Sequence, residues 1–351
     1  MSKVAVIISP NWRDYGRKYL PDCLASVRAQ RYAGEIKLFL IDNESTPESL
    51  GFLKSLAPEA EIIVHKKNTG FAEAHNPAMA RAIESGCKYV ILFNIDTIVE
   101  PEAVSEMVKT ADQNEQIGAV QARLMLWPDK TKINSLGNCT HFLGFGYCAG
   151  YRDEISSHSL QNGSKIFYPS GAAVLFRADV LMQVGLFDEV YWMYAEDQDI
   201  AWRIWLAGYS CVLAADAVVF HKYEFSRSTK KYYWMDRNRI ITIIKNYHWL
   251  TLLIIFPALV LMEFGLLFFS LTNGWFGQKL ALYAYFLRPK TWQYLVYARQ
   301  KTQSLRKVPD KAIISLISTS IGYQEIDSWS NRLANWFFTL YWSIIKPLIR
   351  W

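Results

Sequence analysis

Cysteine is scarce in this chain and nowhere paired. The 351 residues hold five cysteines, Cys23, Cys87, Cys139, Cys148 and Cys211, with no CxxC among them. An odd count at wide spacing argues against a disulfide framework or a zinc site and favours a reducing compartment. No signal-type segment precedes the first apolar run, residues 4–8, so the N-terminal part is expected to stay in the cytoplasm. Repeats and low-complexity segments are missing. So is a strong charge of one sign: the net charge is +6, a mild basic excess that suits anionic partners such as nucleotide phosphates or a lipid surface without deciding between them. What is plentiful is apolar and aromatic. Hydrophobic residues make up 51% of the chain and aromatics 15%, enough for one large domain or two with a sizeable core and high for a purely soluble enzyme.

The first half reads as alternating strands and helices. Apolar runs at 4–8, 37–41, 61–64 and 88–93 are separated by helical stretches such as 19–28. Continuous apolar strands between helices predict a mostly parallel sheet covered on both faces. In such sheets ligands bind beyond the carboxyl ends of the strands. Asp42 and Asp96 stand at two of these ends and should converge on one crevice. Residues 127–165, punctuated by glycine, predict irregular sheet and loop over the pocket. A strand follows at 166–176, then a helix at 178–184 stopped by Gly185, then strands at 209–213 and 217–220 ending in His221.

The character changes after residue 223. Residues 230–245 are basic and aromatic around Arg237-Asn238-Arg239, and 250–271 are nearly all apolar, interrupted by Pro257 and Glu263. That length is near the ~20 residues a spanning helix needs. Basic residues flank both sides, which places both ends on the cytoplasmic face if the positive-inside tendency applies, and Pro257 would help a bend. We therefore expect peripheral or monotopic insertion through 250–271 at the cytoplasmic face of a membrane, rather than a simple span. A soluble helical subdomain or a homo-oligomer interface is the alternative use of this segment.

Chemistry concentrates in the run Glu196-Asp197-Gln198-Asp199, preceded by Tyr191, Trp192 and Tyr194. Carboxylates among large apolar groups cost folding energy unless they are paired, metal-bound or used. Crowding raises the proton affinity of at least one of them, which suits a general base; a solvated helix start would also favour acids. Asp96, with Asn94 before it, follows a buried-type strand. A carboxylate there can hold magnesium or manganese on a diphosphate, or merely cap the turn into Thr97. His221 can complete such a shell, since manganese tolerates imidazole, although a lone histidine is more often structural. Asn68-Thr69-Gly70-Phe71-Ala72 reads as a turn into a helix, where Gly70 permits close backbone approach to a ligand, or as an ordinary loop. Asp42 suits either a base-ring N–H or a helix cap.

Together, and in order, these segments resemble the inverting family-2 glycosyltransferases of GT-A fold, particularly the rhamnosyltransferase-like branch. The resemblance runs from Val4 to about Asn238 and also takes in Gly185-Leu186-Phe187-Asp188-Glu189, Arg203, Gly208-Tyr209 and Arg237-Asn238. It implies a GT-A catalytic domain over 1–225, followed by a C-terminal helical, membrane-associating region over 226–351. It implies Asp197 as the base that deprotonates the acceptor hydroxyl, with Glu196 positioning groups beside it. Donor contacts would come from Asn11, Asp42, Asn68, Gly70, Phe71, Asn94, Asp96, Ser170, Gly171 and Ala172. Asp96 and His221 would hold magnesium or manganese, and Tyr191, Trp192 and Tyr194 would wall the acceptor site. Asp199 and Arg203 are expected to be structural, an i,i+4 pair on a helix. One departure is Asn94, where the wider fold carries an acid; the rhamnosyltransferase-like branch commonly has Asn there. The implied reaction moves a sugar from a nucleotide-diphosphate donor to a hydroxyl of a lipid-linked or oligosaccharide acceptor in surface polysaccharide or glycan assembly, with membrane lipids as further partners and no nucleic acid. The alternatives are a catalytically idle membrane-anchored scaffold of the same fold and a metal-dependent nucleotidyltransferase. The latter would normally carry a glycine-rich phosphate loop, which Arg13, Arg17 and Lys18 only loosely approximate.

Overall fold

A computed structural model describes residues 2–11, 15–222, 229–322 and 329–351, with the side chains of residues 10, 11 and 329–331 outside that description. The elements run β1 (Val4–Asn11), α1 (Tyr15–Arg28), β2 (Ile36–Asn43), α2 (Pro47–Leu56), β3 (Glu61–His65), α3 (Ala72–Glu84), β4 (Tyr89–Phe93), β5 (Thr97–Val99) and α4 (Ala103–Asp112). Next come β6 (Ile117–Leu126), β7 (Ile133–Ser135), β8 (Asn138–Thr140), β9 (Gly146–Cys148), β10 (Ser164–Lys165), β11 (Ala173–Arg177), α5 (Ala178–Val184), α6 (Glu196–Leu206) and β12 (Ser210–His221). Helices then take over: α7 (Lys230–Asn246), α8 (Trp249–Thr272), α9 (Phe276–Phe286), α10 (Pro289–Ser304), the short α11 (Asp310–Ile313) and α12 (Trp329–Ile345).

The strands form one mixed sheet in the order β10-β12-β6-β11-β4-β1-β2-β3, with β5 on β12 and β7 on β6. Strands β3, β2, β1 and β4 are parallel, and β11 runs antiparallel between β4 and β6. Because successive side chains on a strand alternate faces, the apolar run of β1 feeds two cores. Val4, Val6 and Ile8 join Leu20, Cys23 and Leu24 of α1 and Met107 of α4. Ala5 and Ile7 join Ala78 and Met79 of α3, the apolar side of α6, and Ile243, Ile255, Phe338 and Trp342 from the C-terminal helices. The C-terminal helices therefore share a core with the helix that carries the acidic run.

Three sequence expectations are redrawn. The central strand β6 was not anticipated; its run Ile117–Leu126 carries Gly118, Gln121 and Arg123 among the apolar residues, which weakens its pattern. The strand expected at 166–176 begins only at Ala173. Gln121 Oε1 accepts from Ser170 N at 2.7 Å and Ser170 Oγ from Ala172 N at 3.3 Å, which turns this stretch away from the ladder. The strands at 209–213 and 217–220 are one element, β12, whose register shifts between Ala214 and Val218.

A buried ion pair fastens α6 to α7. Asp199, fully buried, accepts from Arg203 Nε at 3.0 Å, the expected i,i+4 pair, and from Asn246 Nδ2 at 3.1 Å. Lys245 Nζ lies 3.0 Å from the same carboxylate. Arg203 also donates to the carbonyls of Val184, Gly185 and Leu186. Burial opposes ionisation of Asp199, but Lys245 and Arg203 outweigh it and hold its pKa at about 2. Because this lies below the ~3.9 of an unfolded aspartate, the stabilisation is complete above about pH 4 and is lost as pH falls towards 2. Asp199→Ala takes the carboxylate from buried Arg203 and leaves buried Lys245 with Asp188 alone, at 2.6 Å; it is expected to lower unfolding free energy by about 3–5 kcal/mol at neutral pH, read by urea titration, and a loss under about 1 kcal/mol would show that the pair does not hold α6.

Candidate active site

The site forms where the strand ends meet the amino end of α6. Asp96 follows β4, and pairing of Thr97 with His221 across β5 and β12 brings the two side chains together. Asp96 Oδ1 lies 3.2 Å from His221 Nε2, and Asp96 Oδ2 accepts from the Tyr15 hydroxyl at 2.8 Å. The other His221 nitrogen, Nδ1, is 3.0 Å from Asn134 Oδ1, which orients the ring. Burial works against the Asp96 charge, yet His221 and Tyr15 keep its carboxyl below the ordinary range.

From Asn94 the site reaches the acidic run through three residues. Asn94 N donates to Ala172 O at 2.9 Å. One residue earlier, Gly171 N donates to Asp197 Oδ2 at 3.3 Å, while Gln198 N holds Asp197 Oδ1 at 2.8 Å. Ser170-Gly171-Ala172 is thus the bridge between the Asp96 end and Asp197.

Glu196 is buried and Asp197 half-buried, and their fates differ. Desolvation raises the pKa of Asp197 to about 6, held in check by the amides of Gly171 and Gln198. Glu196 is compensated less: burial and the neighbouring Asp197 charge push its pKa well up against a single backbone hydrogen bond, and its Oε2 is buried without a hydrogen-bond partner. Of the two, Asp197 is therefore the one that gives up its proton more readily. Tyr168 and Cys148 also face the Asp197 charge, and burial, with that charge, raises the pKa of both.

The loop leading into α6 carries backbone strain. Trp192, Tyr194 and Ala195 have φ of +59°, +70° and +63°, a region that costs a non-glycine residue about 1–3 kcal/mol. Trp192 O accepts from Phe71 N at 2.6 Å and Ala72 N at 3.2 Å, at the head of α3. Gly70, with φ +80°, is needed for this approach, because a Cβ there would meet Trp192 O at 2.4 Å. The sequence pointed to Gly70 for close approach to a ligand; the backbone it admits is the loop itself.

The other expected residues fall as follows. Asp42 is buried, and its Oδ2 accepts from Ser45 Oγ at 2.5 Å and Ser49 Oγ at 2.8 Å at the start of α2. Asn68 Oδ1 accepts from Gly70 N at 3.0 Å, and Asn43 ties Thr69 and Gly70 to β2. Phe71 packs against His75 and Phe187. Of the three aromatics, Trp192 and Tyr194 are partly exposed. Tyr191 is fully buried, its hydroxyl 2.9 Å from Thr242 Oγ1 and 3.2 Å from Asp199 Oδ1, so it belongs to the core behind the site. Asn11 ends β1, and its side chain lies outside the described residues. Tyr15, Gln121 and Asn134 were not anticipated. A lone tyrosine carries no signal, and the two buried amides sit in segments whose strand pattern is weak.

Among the described residues, no three His, Cys, Asp or Glu side chains gather into a metal cluster. The donor set on offer is Asp96, His221 and the Asn94 Oδ1, which is buried without a hydrogen-bond partner. So sparse a set fits magnesium or manganese, which keep substrate phosphate and water in their shells.

Comparison with known proteins follows the same line. The sequence profile described as Glycosyl transferase family 2 matches residues 6–185. An N-acetylglucosaminyl-diphospho-decaprenol L-rhamnosyltransferase of Mycobacterium tuberculosis is 26% identical over 206 residues, 53% of this chain and 66% of the relative. Among solved structures, GalNAc-T7 with UDP, GalNAc and Mn2+ superposes with a TM-score of 0.53 at 14% identity, covering 70% of this chain and 48% of that one. TarS 1-349 of S. aureus in complex with UDP-GlcNAc gives 0.50 at 14% identity over 91% and 84%. The chain thus spans about two thirds of the mycobacterial relative and about half of GalNAc-T7. These structural likenesses establish the GT-A fold.

With Asp197 as base, turnover needs its ionised form, so kcat is expected to rise through pH 6 and level off above it. Asp197→Asn should lower kcat by about 10²–10⁴-fold while nucleotide-sugar affinity stays. A pH profile without that limb, or an active Asp197→Asn enzyme, would remove Asp197 from the chemistry.

Proposed function

The chain belongs to glycosyl transferase family 2, and we propose that it is an inverting enzyme that transfers a sugar from a nucleoside-diphosphate donor to a hydroxyl of a lipid-linked saccharide, in surface glycan assembly. The observation that carries this reading is the bridge at Ser170-Gly171-Ala172, which joins Asn94 and Asp96 on one side to Asp197 on the other.

In this reading the donor lies across the strand ends. Asp42 and the Asn68-Thr69-Gly70-Phe71 turn face its nucleoside, and Asn94 and Asp96 its diphosphate. A divalent cation held by Asp96 and His221 would neutralise charge on the departing diphosphate. The acceptor enters over Trp192 and Tyr194. Asp197 accepts the proton of its hydroxyl as the oxygen attacks the anomeric carbon opposite the leaving diphosphate, and a single displacement of this kind inverts configuration. The lipid-linked acceptor and L-rhamnose as the transferred sugar are supported by the mycobacterial relative's description.

Location follows from α8. Among the described residues it is the one helix long and apolar enough to cross a membrane, with 17% of its most apolar stretch buried. Leu253, Phe256, Phe264 and Phe268 are each more than half exposed. Midway along the helix, Glu263 pairs with Arg239 of α7 and with Lys279 of α9 at 2.6 Å. Arg239 and Lys279 in turn hold Asp236, at 2.7 and 2.5 Å. A simple span would carry this four-charge cluster into hydrocarbon at high cost. In-plane insertion, with the polar side of α8 on the protein and its apolar side in the lipid, avoids that cost. We place the catalytic unit at 1–225 and the membrane-associating helices at 226–351, on the cytoplasmic face.

Thermal-shift screening of nucleotide sugars with manganese, followed by product analysis with the labelled donor, tests the reaction. A new glycoside is the expected product, whereas nucleotidyl transfer or no product would refute it. Asp96→Ala should weaken donor binding in the presence of manganese, and unchanged affinity would argue against its metal role. Membranes washed with carbonate should retain the protein until detergent is added; release by carbonate alone would exclude insertion.

A further inference from the structure

The base stands at the end of a loop whose conformation is not its own choice. Left-handed backbone at Trp192, Tyr194 and Ala195 persists only where the surroundings over-determine it. On one side the head of α3 supplies two amides to the Trp192 carbonyl. On the other side stands a single amide from α7. Asn238, fully buried, donates through Nδ2 to the carbonyls of Tyr191, Met193 and Tyr194 at 2.9, 2.8 and 2.7 Å. Its Oδ1 accepts from Arg237 Nε at 2.9 Å and Nη2 at 2.7 Å, which fixes which end of the amide faces the loop. Arg237 also reaches Tyr191 O at 3.2 Å and lies 4.4 Å from the centre of the Trp234 ring, and Trp234 stacks on Trp192 at 4.7 Å.

We propose that Asn238, oriented by Arg237, is a positioning residue for Asp197: it clamps residues 191–195, three of which hold positive φ, and thereby sets the head of α6 against Gly171. This rests on Asp197 being the base. The clamp comes from the C-terminal helices, 41 positions beyond Asp197 and outside the stretch of 6–185 that matches the family profile. The side-chain chemistry is specific. Three convergent carbonyls require a donor; a carboxylate there would repel them, and a short apolar side chain would take that donor from the Met193 and Tyr194 carbonyls and leave Tyr191 O to Arg237 and Met193 N.

The role differs from ordinary packing in what it moves. Residues that only hold helices together change unfolding; a residue that aims the base changes kcat and the base's proton affinity while leaving the donor site alone. The test uses the full chain, a labelled nucleoside-diphosphate L-rhamnose with manganese as donor, and N-acetylglucosaminyl-diphospho-polyprenol as acceptor. For Asn238→Ala we expect kcat to fall by about a hundredfold, within the range that general-base catalysis contributes. Donor affinity should stay within about twofold, and the acidic limb should shift away from pH 6 as Asp197 leaves the Gly171 amide. Asn238→Asp, nearly isosteric but unable to donate, carries the same expectation if the alanine variant does not fold. Adding Ala195→Gly, which accepts positive φ without strain, should restore part of the lost kcat. Parental kcat with an unmoved limb in either Asn238 variant, or no recovery with glycine, would overturn the positioning role. Asp197→Asn measured alongside separates the two claims. An active Asp197→Asn enzyme refutes the base itself, whereas an inactive one beside a fully active Asn238 variant refutes the clamp alone.

Discussion

The burial of Glu196 beside a half-buried Asp197 is the constraint around which this site is built. Burial of a carboxylate costs free energy unless its charge is met or its proton retained. The chain uses both answers within two residues. Asp197 is given two backbone amides and ionises near pH 6; Glu196, with its Oε2 unpartnered, holds its proton more tightly. Two residues further on, Asp199 receives Lys245, Arg203 and Asn246 and is ionised throughout the physiological range. One short acidic run therefore holds three protonation behaviours, set by what each side chain meets rather than by its own chemistry.

Those surroundings come from distant parts of the chain. Gly171 belongs to a turn that β6 diverts through Gln121, α3 receives the Trp192 carbonyl through a gap that Gly70 alone leaves open, and α7 supplies Lys245, Asn246 and Asn238. The C-terminal helices thus do more than present an apolar surface. Arg239, one position after Asn238 on α7, pairs with Glu263 in the middle of α8 and donates to Leu143 O at 3.0 Å. Close by, Gly144 O accepts from Gln198 on α6 at 3.1 Å. A continuous set of contacts therefore runs from α8 to the head of α6.

Much of this was legible in the sequence, and the reasons are physical. Strands such as β4, whose five residues are all buried, announce themselves as unbroken apolar runs, and their ends locate Asp42, Asn94 and Asp96. The i,i+4 spacing of Asp199 and Arg203 foretold their pair. The long apolar segment was visible by composition alone. What stayed hidden depends on contacts between segments far apart. Strand β6 carries buried Gln121 at a position that pattern reading treats as a break. Tyr191 reads as a pocket aromatic until its hydroxyl is found on Asp199 and Thr242. Arg237-Asn238 stood out as a motif without a task, because the carbonyls it serves lie more than forty residues upstream and become convergent only in left-handed backbone, which no local propensity announces.

The central claim is a one-step transfer with Asp197 taking the acceptor proton. The anomeric configuration of the product, determined by NMR after transfer from a nucleotide sugar of known configuration, tests it most directly. Inverted configuration is the expected result. Retention would require a covalent or front-face intermediate in which Asp197 is not the base, and would contradict the account.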